Sequence, residues 1–155
     1  MPLAIVLDSE PLGLVTQRQG VAKAELCRTW LESHLVNGDE IVVPEIIDYE
    51  VRRELLRAEK TESLDRLDKL AASGRVTFLT LRSADLRLAA ELWARARVQG
   101  KPTAPDPALD VDVILAAQAL NHGGGDGSAS AGLVVATGNV GHLSRFLKAD
   151  LWQNI

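Results

Sequence analysis

Carboxylates next to apolar runs are the residues of this chain best placed to do chemistry. Asp8 closes the short run Ala4-Ile5-Val6-Leu7. A continuous apolar run of that length reads as a buried strand, and ligand sites on parallel sheets lie beyond the carboxyl ends of the strands. A plain turn or cap aspartate is the competing reading. In a helix after Pro44, residues Ile47, Val51, Leu55 and Ala58 fall on one stripe at about 100° per residue. Glu54 falls inside that stripe and Glu50 on its border. A carboxylate there is costly to bury unless something pairs with it. A salt bridge to Arg53 or Arg57 is the ordinary way to meet that need on a helix. The segment LDVDVILAAQAL adds Asp110 and Asp112. Asp110 fits the N-cap of a helix beginning there. Asp112 lies about 160° round the helix from it, on the face of Leu115, Ala116 and Ala119. That face is too apolar for a role limited to the helix dipole.

Carboxylates drawn from distant segments repel one another and resist ionisation unless a cation neutralises them. Mg²⁺ and Mn²⁺ take hard oxygen ligands of this kind. The chemistry implied is metal-assisted attack on a phosphodiester, in which the ion activates water and stabilises developing charge.

The elements that must position these groups follow from the apolar pattern. Strands are expected at 4–7, 41–43, 76–79 and 133–136, with a fifth at Leu151-Trp152. Ser9 to Gly13 reads as a polar turn. Helices are expected at 20–36, from Pro44 to Glu59, at 61–73 with Thr61 as N-cap, at 84–99 with Ser83 as cap, at 110–120, and near 141–148. Lys101 to Leu109, with three prolines, reads as a loop. So does the glycine-rich Asn121 to Gly132, which follows a helix and lacks the Gly-Lys-Ser/Thr ending of a phosphate loop. Strands alternating with helices predict a parallel sheet between helical layers.

Length and composition limit what this framework can be. The 155 residues suit one domain, 1–155, with a core that needs no disulfide. No apolar run approaches the roughly 18–20 residues of a membrane span, so no membrane partner is expected. The start MPLAIVLDSE lacks a basic n-region, and the expected compartment is the cytoplasm. The lone Cys27 agrees with a reducing setting, and three histidines are too scattered for a zinc site. The net charge of −4 argues against nucleic-acid binding by bulk positive charge. It does not argue against an acidic centre that recruits cations.

Four segments in order carry a family resemblance: Ile5-Val6-Leu7-Asp8-Ser9, then Val43-Pro44-Glu45-Ile46-Ile47-Asp48-Tyr49-Glu50, then Leu109-Asp110-Val111-Asp112-Val113-Ile114-Leu115-Ala116-Ala117, then Val134-Val135-Ala136-Thr137-Gly138-Asn139-Val140-Gly141-His142. In these the chain resembles PIN domains, most closely the stand-alone bacterial PIN proteins of the VapC toxin type. The resemblance implies a three-layer α/β/α sandwich around a mainly parallel sheet of four to five strands. It implies a Mg²⁺- or Mn²⁺-dependent endoribonuclease acting on RNA, as the toxin partner of a cognate antitoxin. The family's acidic positions fall on Asp8, Glu50 and Asp112, and its fourth on Asn139, a neutral oxygen that would hold a second ion more weakly or serve as a helix N-cap. Ser9, Asp110, Glu54 and Thr137 are supporting candidates. Arg52, Arg53, Arg57, Arg145 and Lys148 are candidates for substrate phosphates, against the reading that they are solvated helix surface.

Two other functions compete. A non-catalytic PIN module binding RNA or a protein is favoured by Asn139. A receiver-like signalling domain needs a phosphoacceptor aspartate ending the third strand, where this chain has Leu79-Thr80-Leu81. Self-association is also expected. Trp30 and Leu31 on the early helix, and Leu64, Leu67 and Leu70 on a later one, form apolar stripes with few elements to cover them. They predict a homodimer through helices between residues 20 and 73.

Overall fold

The computed structural model describes residues 2–99, 106–123 and 132–155. The elements run β1 (Ala4–Leu7), α1 (Ser9–Thr16), α2 (Ala22–Val36), β2 (Glu40–Pro44), α3 (Glu45–Arg57), α4 (Thr61–Ala72), β3 (Thr77–Leu79), α5 (Ser83–Val98), α6 (Asp106–His122), β4 (Leu133–Thr137), α7 (Val140–Leu143) and β5 (Ala149–Leu151). A 3₁₀ turn at Trp152–Asn154 follows β5. The architecture is α/β, as expected.

The five strands are all parallel, in the order β3-β2-β1-β4-β5. The chain builds outward from β1 to β3 and then returns to lay β4 on the other side of β1. The gap beyond the carboxyl ends of β1 and β4 is therefore the point where strand order reverses, which is where sheets of this kind place ligands. Ile5, Val6 and Leu7 are fully buried, as a central strand covered on both faces requires. The ladder runs on past β1, with the Asp8 N–H donating to the Ala136 carbonyl at 2.9 Å.

Helix α6 is apolar on two sides because it packs in two directions. Val111, Leu115 and Ala119 join the main core, while Val113, Ala116 and Ala117 meet Ala89 and Leu92 of α5. Its small residues allow that close approach.

Several boundaries differ from those expected. Ser9 to Gly13 is not a turn but the start of helix α1, with Asp8 at its N-cap. Pro11 sits in its first turn, where a missing N–H costs nothing. Lys60 rather than Thr61 occupies the N-cap of α4, and Arg82 rather than Ser83 that of α5. There the Asp85 carboxylate accepts from the Arg82 N–H at 2.9 Å. Helix α6 starts at Asp106, so Asp110 is not an N-cap but an exposed interior residue. The helix near 141–148 is the single turn of α7, and the fifth strand ends at Leu151, before Trp152. Most of the glycine-rich stretch (124–131), together with Pro102 and Pro105, lies outside the described residues.

The apolar stripes of the early helices are largely used within the chain. Leu31 and Leu67 are buried, and Leu70 packs against the same core. Trp30 meets Trp152 edge-on at 5.7 Å.

Candidate active site

The end of β1 and the start of α1 fix Asp8 from both sides. Its Oδ1 accepts the Ser9 N–H at 2.7 Å, so it is the helix cap that the competing reading anticipated. Its Oδ2 accepts the Thr137 hydroxyl at 2.7 Å, and Thr137 Oγ1 in turn accepts the Asn139 N–H at 3.0 Å. Thr137 is fully buried, so the end of β4 holds the Asp8 carboxylate in one orientation. Burial raises the Asp8 pKa above the ordinary aspartate value, and the hydrogen bonds from Thr137 and Ser9 partly offset this. The charge of Glu10 pushes it up further, while that of His142 pulls it down.

Asp112 comes from the first half of α6. Its side chain is 14% exposed. Burial pushes its pKa up to about 7, and the charges of Asp8 and Glu50 add to that rise, while Arg145 opposes it. The charges of Asp8, at the end of β1, and of Glu50, on α3, thus both reach Asp112 on α6. The Asp112 Oδ2 is buried and makes no hydrogen bond. His142 Nδ1 lies 3.7 Å from it.

Glu50 is half-buried on α3, with Arg53 Nη2 at 3.9 Å from its Oε2. The alternative, Glu54, is exposed and turned away, held to Arg57 by bonds of 2.8 and 3.0 Å. The stripe that placed it inward ends early: Ile47 and Val51 are buried but Ala58 is exposed, because α3 reaches the surface after its third turn. Arg57 is engaged by this pair. Arg52 is engaged as well, bonded to the buried Asp48 at 2.9 Å and to Asp68 of α4 at 2.7 Å. These two carboxylates hold the Arg52 guanidinium above its usual pKa, and the three groups tie α3 to α4. Arg145 lies over the Phe146 ring, 4.8 Å from its centroid, and its charge reaches Asp112. Lys148 is exposed. Asn139 occupies the N-cap of α7 without a side-chain cap bond. Its exposed amide faces His142, with Nδ2 and Nε2 3.4 Å apart.

Two participants had no role in the sequence reading. His142 approaches Asp112, with Nδ1 3.7 Å from its Oδ2, and is also among the groups acting on Asp8. Glu10, two residues after Asp8, folds back over Gly138. A Cβ at position 138 would collide with the Glu10 carboxylate where it now lies, so a larger residue there would require the Glu10 side chain to move. Lys23 of α2 pairs with Glu10 at 2.7 Å. The signal was the Glu10–Gly138 combination, which only the pairing of β1 with β4 brings together. Beside Ser9 and Glu10 a groove of about 380 Å³ runs between α1 and the end of α3, past Leu14, Leu55 and Lys60.

Among the described residues no group of three or more Asp, Glu, His or Cys side chains forms a finished metal cage. The donor set still fits a hard divalent ion. It consists of carboxylate oxygens from three elements, one of them buried and without a hydrogen bond, with Asp8 and Asp112 both held above the ordinary aspartate pKa by burial.

Among the described residues no helix is long and apolar enough to cross a membrane. The chain's structure is similar to that of VapBC2 from Rickettsia felis bound to a promoter DNA fragment, at a TM-score of 0.70 and 14% identity, covering 97% of this chain and 99% of the other. It is also similar to FitAcB from Neisseria gonorrhoeae (TM-score 0.66, 18% identity, 97% and 99% covered). VapBC-1 from nontypeable Haemophilus influenzae shares the same fold (TM-score 0.64, 19% identity, 97% and 99% covered). Among curated proteins no sequence matches. Residues 6–126, which contain Asp8, Glu50 and Asp112, match the PIN domain family. With most of the chain matched and the same fold in its structural neighbours, the chain belongs to the PIN domain family.

Proposed function

We propose that the protein is a Mg²⁺- or Mn²⁺-dependent endoribonuclease, with Asp8, Glu50 and Asp112 holding the ion. The observation that carries this reading is the buried Asp112 carboxyl, pushed up to about pH 7 by burial and by the charges of Asp8 and Glu50. A divalent ion bound there would lower the pKa of a coordinated water and stabilise charge on the phosphoryl oxygens. The chain's own groups do the positioning. Thr137 holds Asp8 in register with β4, Arg145 brings positive charge to Asp112, and the His142 ring lies 3.7 Å from the Asp112 carboxylate. Asn139, the family's fourth position, keeps its exposed amide by His142, so the reading rests on three carboxylates. The PIN family and its VapBC and FitAB neighbours support placing the chain as the toxin of a toxin–antitoxin pair, with a cognate antitoxin as partner. A homodimer through helices between residues 20 and 73 belongs to the same reading. It is supported by the exposed Leu26 and Val36 of α2 and Leu56 of α3.

The test is cleavage of single-stranded RNA with Mn²⁺ and with EDTA, by the native chain and by Asp8→Asn. Cleavage only by the native chain with Mn²⁺ is expected. Binding without cleavage under every condition would instead favour a non-catalytic PIN module, the reading supported by Asn139.

A further inference from the structure

We infer that Tyr49 and Arg53 form a platform at the rim of the acidic centre on which one base of the RNA substrate stacks. This rests on the reading of the chain as an RNA-acting protein and names a residue pair that this reading does not use. Tyr49 is the chain's only tyrosine. It is 55% exposed on α3, immediately before Glu50. The Arg53 guanidinium lies over its ring, 5.2 Å from the centroid. The same guanidinium is 3.9 Å from the Glu50 carboxylate. One arginine therefore joins an exposed aromatic face to a carboxylate of the centre.

Helix geometry explains the arrangement. Residues 49 and 53 are one turn apart, and 50 and 53 are the neighbouring diagonal, so Arg53 reaches both. An aromatic ring and a guanidinium plane are the two surfaces on which proteins stack unpaired bases. The guanidinium edge also offers donors to a phosphate. The chain's charge makes such a contact necessary. A net charge of −4 cannot draw RNA in by bulk attraction, and three clustered carboxylates repel its backbone. Affinity must then come from local contacts that do not depend on net charge, and base stacking is one. Arg52 and Arg57, on either side of Arg53 in sequence, are bonded to carboxylates at 2.9 and 2.8 Å. Among the described carboxylates Arg53 has only the long contact to Glu50, beside its place over the Tyr49 ring. Its side chain is 47% exposed, which leaves it able to follow a ligand. The alternative is an ordinary helix pair that adds a few tenths of a kcal/mol to α3 and touches no ligand.

The experiment measures binding of short single-stranded oligoribonucleotides in EDTA, so that nothing is cut, and repeats it with an abasic site placed at each position in turn. For the native chain, one abasic position should cost about ten-fold in affinity. Tyr49→Ala should lose the same factor with the intact oligonucleotide and nothing further with that abasic one, while Tyr49→Phe binds as the native chain does. Arg53→Ala should lower the slope of log affinity against log salt by about one phosphate contact. Tyr49 is exposed, so unchanged thermal unfolding separates lost binding from lost structure. Native-like binding by Tyr49→Ala, or additive losses from Tyr49→Ala and the abasic site, would overturn the platform. RNA cleavage with Mn²⁺ is scored separately. Cleavage by the native chain together with unchanged binding by Tyr49→Ala removes only the platform. Stacking through Tyr49 without any cleavage removes only the nuclease reading.

Discussion

At Asp112 the folded chain holds a carboxyl that ionises near pH 7, whereas in the unfolded chain it ionises near 3.8. Above pH 7 both states are ionised, and the folded one carries the cost of a desolvated charge beside Asp8 and Glu50. As the pH falls through 7, the folded state takes up a proton that the unfolded state does not. Stability of the metal-free protein should therefore rise between about pH 7 and pH 4, by on the order of 2 kcal/mol. Thermal unfolding across that range checks it. Asp112→Asn should flatten the profile and raise the midpoint at pH 8, and a native profile that falls toward pH 5 would contradict the assignment. Mn²⁺ at pH 8 should also raise the native midpoint, through ligand linkage, but not that of Asp112→Asn. Thr137→Val keeps the shape and removes the hydroxyl that joins Asp8 to the Asn139 N–H. Asp8 Oδ2 and the Asn139 N–H, both only partly buried, then lose this partner, at a cost of about 1 kcal/mol, and urea unfolding should show the loss. Asp8 and Asp112 were legible in the sequence because a strand end and a helical face point to a place. Glu10 and His142 were not, since each acquires its neighbours only through the β1–β4 pairing.

Among the elements, α6 relates the catalytic candidates to one another through a residue unconnected with their chemistry. Gln118, 2% exposed, accepts the Ile46 N–H at 3.2 Å and donates to the Leu79 carbonyl at 3.0 Å. One amide thus ties the helix of Asp112 to the first turn of α3, which carries Glu50, and to the end of β3. Gln118→Leu fills the same space but strands one buried donor and one acceptor. The expected loss is about 2–4 kcal/mol, or very roughly 10 °C in the unfolding midpoint for a chain of this size. Nuclease activity should fall even at temperatures where the variant is fully folded, because α3 and α6 lose their common anchor. Full activity at such a temperature would show that the tether is structural only. Elements with apolar periodicity were legible to within a few residues, as α2, α3 and β2 show. Helix α1 was not. Pro11 and Gly13 look like turn residues, and only the capping carboxylate of Asp8 and the free first-turn N–H groups make them helical. The start of α6 was hidden by Pro107 in the same way.

For the whole molecule, the strand–helix alternation was enough to expect a parallel sheet and its switch point, because a right-handed crossover leaves few other arrangements. The fate of the apolar stripes on the early helices was not legible, since the residues that cover them lie at the far end of the chain. Trp152, 4% exposed, packs edge-on against Trp30 of α2. One turn along α2, His34 bonds Asp39 at 2.7 Å, and Asp39 accepts the Leu3 N–H at 2.8 Å. His34 Nε2 also lies 3.3 Å from the Ile155 carbonyl. The last residues therefore clamp α2 to the amino edge of the central strands, using Trp30, a residue that otherwise reads as an oligomer contact. Trp152→Ala should open a cavity beside Trp30 and cost about 3–5 kcal/mol, lowering the unfolding midpoint by about 10 °C. Val98→Ala, at an 87% exposed position of α5, should change it by less than about 0.5 kcal/mol. If Trp30 instead served mainly as an interface between copies, Trp152→Ala would leave stability nearly unchanged and Trp30→Ala would change the mass in solution. The packing argument requires the opposite on both counts, and unfolding curves together with light scattering of the two variants decide between them.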